Sequence, residues 1–182
     1  MKKIPLYKKY DAEGWHLPNE KTELKFFLTT TEELENAGYI HYEVSNFARK
    51  DKFKSRHNQK YWQHAPYLGL GPAAHSFFGN RRWWNTSAIK TYLKEITQDE
   101  MPVENTETLS AKQLQLEALF LGLRTKEGID LKHYKTKYGI DLSVDKKTII
   151  HALIKNKLVE LKNGFLRPTR SGMAVADSLA LI

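Results

Sequence analysis

The sequence predicts an α/β region followed by a small helical, winged-helix-like domain. Three observations carry this reading. A helical pattern, a glycine stop and an alternating strand follow one another over residues 19–45. A polar interval containing Pro102, from Thr97 to Ser110, divides the chain. An Asn163-Gly164 turn joins two short apolar runs among amphipathic helices. The expected division is residues 1–98 and 99–182.

Asn19 caps the first helix, whose Leu24, Phe27, Leu28, Thr31 and Leu34 share one face. Gly38 stands at its end, where left-handed backbone is needed. Tyr39 to Ser45 then alternates Ile40, Tyr42 and Val44 with His41, Glu43 and Ser45, the pattern of a strand with two unlike faces. Asn46 to Pro66 is a long polar and aromatic connection, a kind of segment that often carries function. Tyr67 to Phe78 starts as a buried strand, and its small residues leave room for close backbone approach. Asn80 to Asn85 is a basic, aromatic turn, and Ala88 to Ile96 a helix. Ser110 and Gln113 have capping-box spacing before Leu114, Ala118 and Leu121. Helices are expected from Asp130 to Tyr138 and Asp145 to Lys157. Leu158 to Leu161 pairs with Phe165 to Arg167, and Thr169 caps a last helix to Ala180.

Composition narrows the function classes. The 182 residues are 41% hydrophobic, enough for a core, and Trp 4, Tyr 9 and Phe 8 exclude a disordered chain. The longest apolar run, Leu119 to Leu123, is broken by Gly122 and is far short of a membrane span. Pro5, Tyr7 and Asp11 stand where a signal peptide needs apolar residues, so the expected location is the cytoplasm. With Cys 0, the chain has no disulfide, no thiolate nucleophile and no thiolate ligand for zinc or an iron–sulfur cluster. The net charge of +8 comes from scattered Lys and Arg interleaved with acids. That pattern suits solubility, while a basic winged helix with Asp145 to Lys157 as its recognition helix is the rival reading. The apolar Ile149, Ile150, Leu153 and Ile154 make that segment a packing helix, and no nucleic-acid partner is expected.

His57-Asn58-Gln59-Lys60-Tyr61-Trp62 is the most informative stretch. Imidazole ligates haem iron, flat aromatics cover a macrocycle, and Arg49, Lys52, Lys54 and Arg56 offer charge for its carboxylates. The same residues also suit a loop pinned by Tyr61 and Trp62 with His57 at the surface. Glu43 and Asn46 end their strand where a parallel barrel would build a site, and equally where a carboxylate would sit at a sheet edge. Gly69, Gly71, Ala73, Ala74, His75 and Ser76 have neither P-loop nor dinucleotide spacing. They suit close approach of a nucleoside or a tight turn beside a core. His16, His41, His64, His133 and His151 lack metal-site spacing, and Ser76 beside His75 lacks a nucleophile elbow.

In order, these segments resemble one family over essentially the whole chain. Tyr42-Glu43-Val44-Ser45-Asn46-Phe47-Ala48, His57-Asn58-Gln59-Lys60-Tyr61-Trp62 and the run from Tyr67 to Ser76 are similar to motifs of the oxygen-independent coproporphyrinogen oxidases and their haem-chaperone relatives (HemN and HemW). In that run Ala73 takes the usual Gly place. Arg82, Asn85 and Tyr92 match a further pattern, and Glu117 to Arg124 with Gly128-Ile129 resembles the C-terminal domain signature.

The resemblance implies the closing strands and helices of a partial radical-SAM (β/α) barrel, then the helical domain. It implies S-adenosylmethionine and a four-iron, four-sulfur cluster in the complete protein. The absent cysteines make this chain the expected C-terminal half, inert alone in radical chemistry and partnered by a front half of the barrel. It also implies haem or porphyrin as ligand and haem-accepting proteins as partners. His57 is then the iron ligand, and Asn58, Tyr61, Trp62, Glu43, Asn46 and the Gly69–Ser76 residues are cofactor-binding. The oxidase branch, which decarboxylates coproporphyrinogen III, carries an Arg-Asn-Phe-Gln-Gly-Tyr type sequence at His57–Trp62 and a Val-Ser-Ala-Ile-Ser type ending at 72–76. Both departures favour the chaperone branch.

Overall fold

The computed structural model describes residues 17–179. The expectations resting on Pro5, Tyr7, Asp11, His16 and Ala180 lie outside them. The first described helix, α1 (Glu20–Asn36), begins as expected: Asn19 accepts the Thr22 amide at 2.9 Å. Gly38 takes a left-handed φ of +82° and releases the chain. Only the second half of the apolar face is packed: Thr31 is buried, whereas Leu24 is exposed.

The expected seven-residue strand is shorter. β1 (Ile40–Glu43) turns at Val44-Ser45 and returns as β2 (Asn46–Ala48), its antiparallel partner. The two faces do not divide between core and solvent, because His41, Tyr42 and Glu43 are all buried. The other edge of β1 meets the chain after the fourth helix: Val44 N donates to Arg124 O at 2.9 Å and Lys126 N to Tyr42 O at 3.1 Å.

The connection expected to lack secondary structure contains a 3₁₀ turn (Asp51–Phe53) and a two-turn helix, α2 (Arg56–Trp62), capped by Ser55. Beyond it the expected strand at Tyr67 does not form. Tyr67 makes one antiparallel bridge to Phe77, and Leu68 and Leu70 are 66% and 83% exposed. The strand starts later, as β3 (His75–Phe78). The basic aromatic turn is mostly strand β4 (Arg81–Asn85), followed by α3 (Ile89–Thr97) and β5 (Val103–Thr108). β5 lies in the interval expected to separate two domains, yet it completes an antiparallel β3-β4-β5 sheet. Every strand pair among the described residues is antiparallel, so the parallel strands expected before residue 98 are not found and no barrel closes.

From Ser110 onward expectation and structure agree closely. Ser110 and Gln113 form a reciprocal capping box at the start of α4 (Ala111–Gly122). β6 (Ile129–Asp130) leads into α5 (Leu131–Tyr138), capped by Asp130 and ended by Gly139 at φ +73°. The helix expected from Asp145 to Lys157 is α7 (Lys147–Lys155), and an unexpected turn of helix, α6 (Leu142–Asp145), precedes it. The Asn163-Gly164 hairpin joins β7 (Val159–Lys162) to β8 (Phe165–Pro168), with both turn residues at positive φ as a type I′ turn requires. These strands form a β6-β8-β7 sheet with β6. The last helix is broken at Val175 into α8 (Arg170–Ala174) and α9 (Ala176–Leu179). Leu119, Leu123, Tyr134, Leu142, Ile150, Leu166 and Leu179 make one core here, so α7 packs inward through Ile150 and keeps its lysines outside. Together the described elements form an α/β fold.

Candidate functional site

The sequence motifs meet at one buried carboxylate. Glu43, at the end of β1, is 1% exposed. Its Oε1 accepts from Asn46 Nδ2 at 2.5 Å and Asn58 Nδ2 at 3.1 Å. Its Oε2 accepts from Gln59 Nε2 at 3.4 Å and from the Trp62 indole N–H. A carboxylate taken out of water is costly unless its oxygens are well supplied with donors, and here each oxygen has two. Glu43 thereby fastens α2 to the β1–β2 hairpin. Tyr42 adds a second tie, its Oη accepting the Ser55 amide at 3.1 Å just before the helix.

The sequence predicts two candidate groups, His57, Asn58, Tyr61 and Trp62 around a haem and the Glu43–Asn46 pair at the end of a strand. The structure brings Glu43, Asn46, Asn58 and Trp62 together, but their polar atoms serve each other. Gln59 completes the set, and in the sequence only its place beside Asn58 in the motif points to it. Helical geometry sends His57 and Tyr61 to the other side of α2, about 100° per residue apart in turn. There the exposed His57 ring meets the Tyr61 edge at 4.9 Å, and Tyr61 in turn meets Tyr67 at 4.6 Å. His57 has no hydrogen-bond or ion-pair partner among the described residues. Of the basic residues expected near it, Lys54 is paired with Asp51 at 2.7 Å and Arg49 lies over the Tyr39 ring. Lys52 rests over Phe53.

The Gly69–Ser76 segment is a loop held by its own chain. Ser76, fully buried, accepts the Gly69 amide at 3.0 Å, and the Gly71 amide donates to Tyr92 Oη at 3.2 Å. Asn85 Nδ2 donates to Gly71 O at 2.9 Å. A Cβ at Gly69 would lie 2.1 Å from His75 O, so this glycine is required by the chain itself. Ala73 has φ +57°, a conformation that costs a residue with a Cβ. His75 stacks on Trp84 at 5.5 Å.

Next to α2 lies His64, an unexpected centre. It is 6% exposed at a strained φ of +51°, stacked on Phe77 at 4.7 Å. Its Nδ1 is 3.0 Å from Tyr138 Oη, and its Nε2 is 3.3 Å from Glu117, which is ion-paired with Arg82 at 2.6 Å. Burial lowers its pKa, and Lys137 and Arg82 add to that effect against Glu117. His64 borders two hollows. One of about 340 Å³ lies between Tyr61, Tyr67, Phe77, Arg82 and Phe120. The other, a cleft of about 540 Å³, runs between α2 and α5. Among the described residues no group of three or more His, Asp or Glu is arranged to hold a metal ion. No helix among them is long and apolar enough to cross a membrane.

Residues 109–175 match the model of the HemN C-terminal domain. The chain is 29% identical to the haem chaperone HemW of Bacillus subtilis over 90% of its own length and 43% of that protein's. The chain is homologous to the HemW and HemN proteins of the radical-SAM family. It is 31% identical to HemW of Mycobacterium tuberculosis, over 80% of this chain and 35% of that one. It is 34% identical to mouse mitochondrial radical S-adenosyl methionine domain-containing protein 1, over 81% and 36%. The solved structure of Escherichia coli coproporphyrinogen III oxidase (HemN), a radical-SAM enzyme, superimposes with a TM-score of 0.66 at 16% identity, over 91% of this chain and 41% of that one. The chain therefore spans less than half the length of these relatives, and it resembles HemN in fold.

Proposed function

We propose that this chain is the C-terminal part of a haem chaperone, and that α2 presents haem at its surface through His57. The observation that carries this reading is the division of labour on α2. One side is bolted to Glu43; the other offers an imidazole with no hydrogen-bond or ion-pair partner among the described residues, beside an aromatic ring and the exposed Arg56 and Lys60. That combination suits a flat, iron-bearing, dianionic ligand. Bound haem supplies an iron centre for ligation, while His57 supplies the nitrogen lone pair, Tyr61 a ring edge, and Arg56 and Lys60 positive charge. Asn58, Trp62, Glu43 and Asn46 are positioning residues in this reading, since their polar atoms hold the helix.

The radical chemistry of the family finds no fit in this chain. A cluster needs thiolates and the sequence has none, so we assign no step to S-adenosylmethionine here. We take the Gly69–Ser76 loop as a brace and leave any nucleoside contact to a partner half of the barrel. We place the division between a barrel-derived part and a winged-helix-like brace near residue 108, after β5. The haem-accepting proteins that such a chaperone serves are partners of the complete protein, acting in the cytoplasm. The chaperone is preferred to coproporphyrinogen III oxidation because His57 and His75 stand where the oxidase-branch sequences carry Arg and Ile.

Titrating haemin into the chain, while following the Soret band, tests this reading. His57→Ala is expected to remove a bound equivalent with its ligated spectrum and to leave the far-ultraviolet circular dichroism unchanged, because the ring is exposed. Identical stoichiometry and spectrum in wild type and variant would overturn it.

A further inference from the structure

His64 carries a polar atom that the fold leaves unserved. Its Nδ1 is 3.0 Å from Tyr138 Oη, but its Nε2 is buried without a hydrogen bond among the described residues. Glu117 Oε2 stands 3.3 Å from Nε2 and is already engaged by Arg82 at 2.6 Å. On a residue 6% exposed this is an exception to the rule that buried polar groups are hydrogen-bonded. Tyr138 lines the cleft between α2 and α5, whereas Glu117 lines the smaller hollow of about 340 Å³. Nε2 is therefore the nitrogen turned to the smaller hollow.

The rest of that hollow is aromatic. Tyr61 and Tyr67 meet edge to face at 4.6 Å, and Phe77 carries the His64 ring stacked at 4.7 Å. Phe120 closes a further side, with the Arg124 guanidinium 3.6 Å over its ring. The ions at the polar end are paired. Arg82 is held by Glu117 at 2.6 Å and by Glu107 at 3.7 Å, so it has no spare charge for an anion. Glu117 has Arg82 as its counter-ion, so a cation gains little there. His64 is neutral as well, because burial lowers its pKa. These surroundings suit an uncharged ring with one hydrogen-bonding group. The volume lies at the lower end of the roughly 300–1,000 Å³ of small-molecule pockets, which favours a ligand of one ring or two.

We propose that this hollow binds a small neutral phenol, its ring against Tyr61, Tyr67, Phe77 and Phe120 and its hydroxyl between His64 Nε2 and Glu117. A hydroxyl serves both groups at once, accepting from Nε2–H and donating to the carboxylate. Nε2 carries the proton when Tyr138 donates to Nδ1, and the Tyr138 hydroxyl keeps its proton because burial pushes its pKa up to about 12. The site is independent of the haem reading, since His57 does not line this hollow and no iron takes part.

The test is titration of the haem-free full chain with p-cresol, followed by calorimetry and by imidazole proton resonances. One equivalent is expected to bind and to shift the His64 ring signals, while those of His57 and His133 stay in place. Toluene keeps the ring and the methyl group but has no hydroxyl, and should bind about tenfold or more weakly. 4-Methylanisole, which can accept but not donate, should also bind more weakly than p-cresol. Phe120→Ala removes a wall at a half-exposed position, so it should leave the circular dichroism unchanged and weaken p-cresol binding severalfold. The proposal is overturned if p-cresol moves no His64 signal up to its solubility. It is overturned equally if toluene binds as tightly as p-cresol, or if Phe120→Ala leaves the affinity unchanged.

Discussion

Ala73 sits at φ +57°, in the left-handed region, where the related motif carries glycine. A Cβ in that region costs about 1–2 kcal/mol, and glycine escapes it. Glycine also raises the entropy of the unfolded chain, a penalty of about 0.4–1 kcal/mol. The first effect is the larger, so Ala73→Gly is expected to stabilise the protein by up to about 1 kcal/mol. Urea denaturation checks this, and a lower midpoint in the variant would mean that the loop relaxes around alanine. The loop's other anchors support the local prediction. Ala73 N donates to Thr86 O at 3.0 Å, Ala74 N to Gly71 O at 3.3 Å, and Asn85 fastens Gly71. Departure from the family pattern at one residue thus has a conformational price that the backbone angle makes visible.

At the scale of elements, α2 is the one whose existence depends most on a distant residue. Its two turns are too short to persist alone in water. Ser55 caps it, accepting the Asn58 amide at 3.2 Å, but the decisive tie is Glu43. Glu43→Gln replaces one acceptor oxygen by an amide N–H₂, which faces two donors and orphans them. The expected cost is about 2–4 kcal/mol. Faster hydrogen exchange should appear first in residues 56–62 and leave α5 to α7 protected; uniform loss of protection would show that Glu43 does not act through α2. The same contacts explain why the helix was illegible in the sequence. Its inward side is Asn58, Gln59 and Trp62 rather than an apolar stripe, so periodicity gave no sign of it. The β1–β2 turn at Val44-Ser45 lacks glycine and proline, and β5 is a polar, exposed strand that imitates a linker. The helical region was legible because its signals are local: the Ser110–Gln113 box, Asp130, Gly139, Asn163-Gly164 and Thr169 each fix an element by themselves. Of the site, the motif residues were legible as a group. Their division into a bolted and an open side needed the three-dimensional position of Glu43.

Across the whole molecule, cross-links join the hairpin, the β3-β4-β5 sheet and the helical core. Glu35 of α1 meets Lys126 at 3.0 Å and also Arg170, while Arg82 pairs with Glu117 across to α4 at 2.6 Å. Two buried histidines stand at these joints. His41 is 2% exposed and stacked on Phe47 at 4.3 Å, with Glu35 and Lys126 among the charges facing it. His64 faces Glu117, Arg82, Lys137 and the Tyr138 hydroxyl. Burial lowers the pKa of both below the ordinary 6.5. Each is therefore neutral in the folded protein at a pH where the unfolded chain is already protonated. The unfolded state binds more protons, so stability rises with pH through this window and falls on acidification. Stability should be level above about pH 7.5 and decline from about pH 6.5 downward, by up to about 1.4 kcal/mol per pH unit for each histidine. Glu35 adds nothing in that interval, because its lowered pKa places its loss of ion pairing below the usual carboxylate value of 4.5. Urea midpoints at pH 7.5, 6.5 and 5.5 measure the slope, and imidazole proton shifts followed by nuclear magnetic resonance report each ring directly. Both rings are expected to titrate below 6.5. A flat stability profile, or rings that protonate at or above 6.5 in the folded state, would show that the Glu35 and Glu117 carboxylates outweigh burial at these joints.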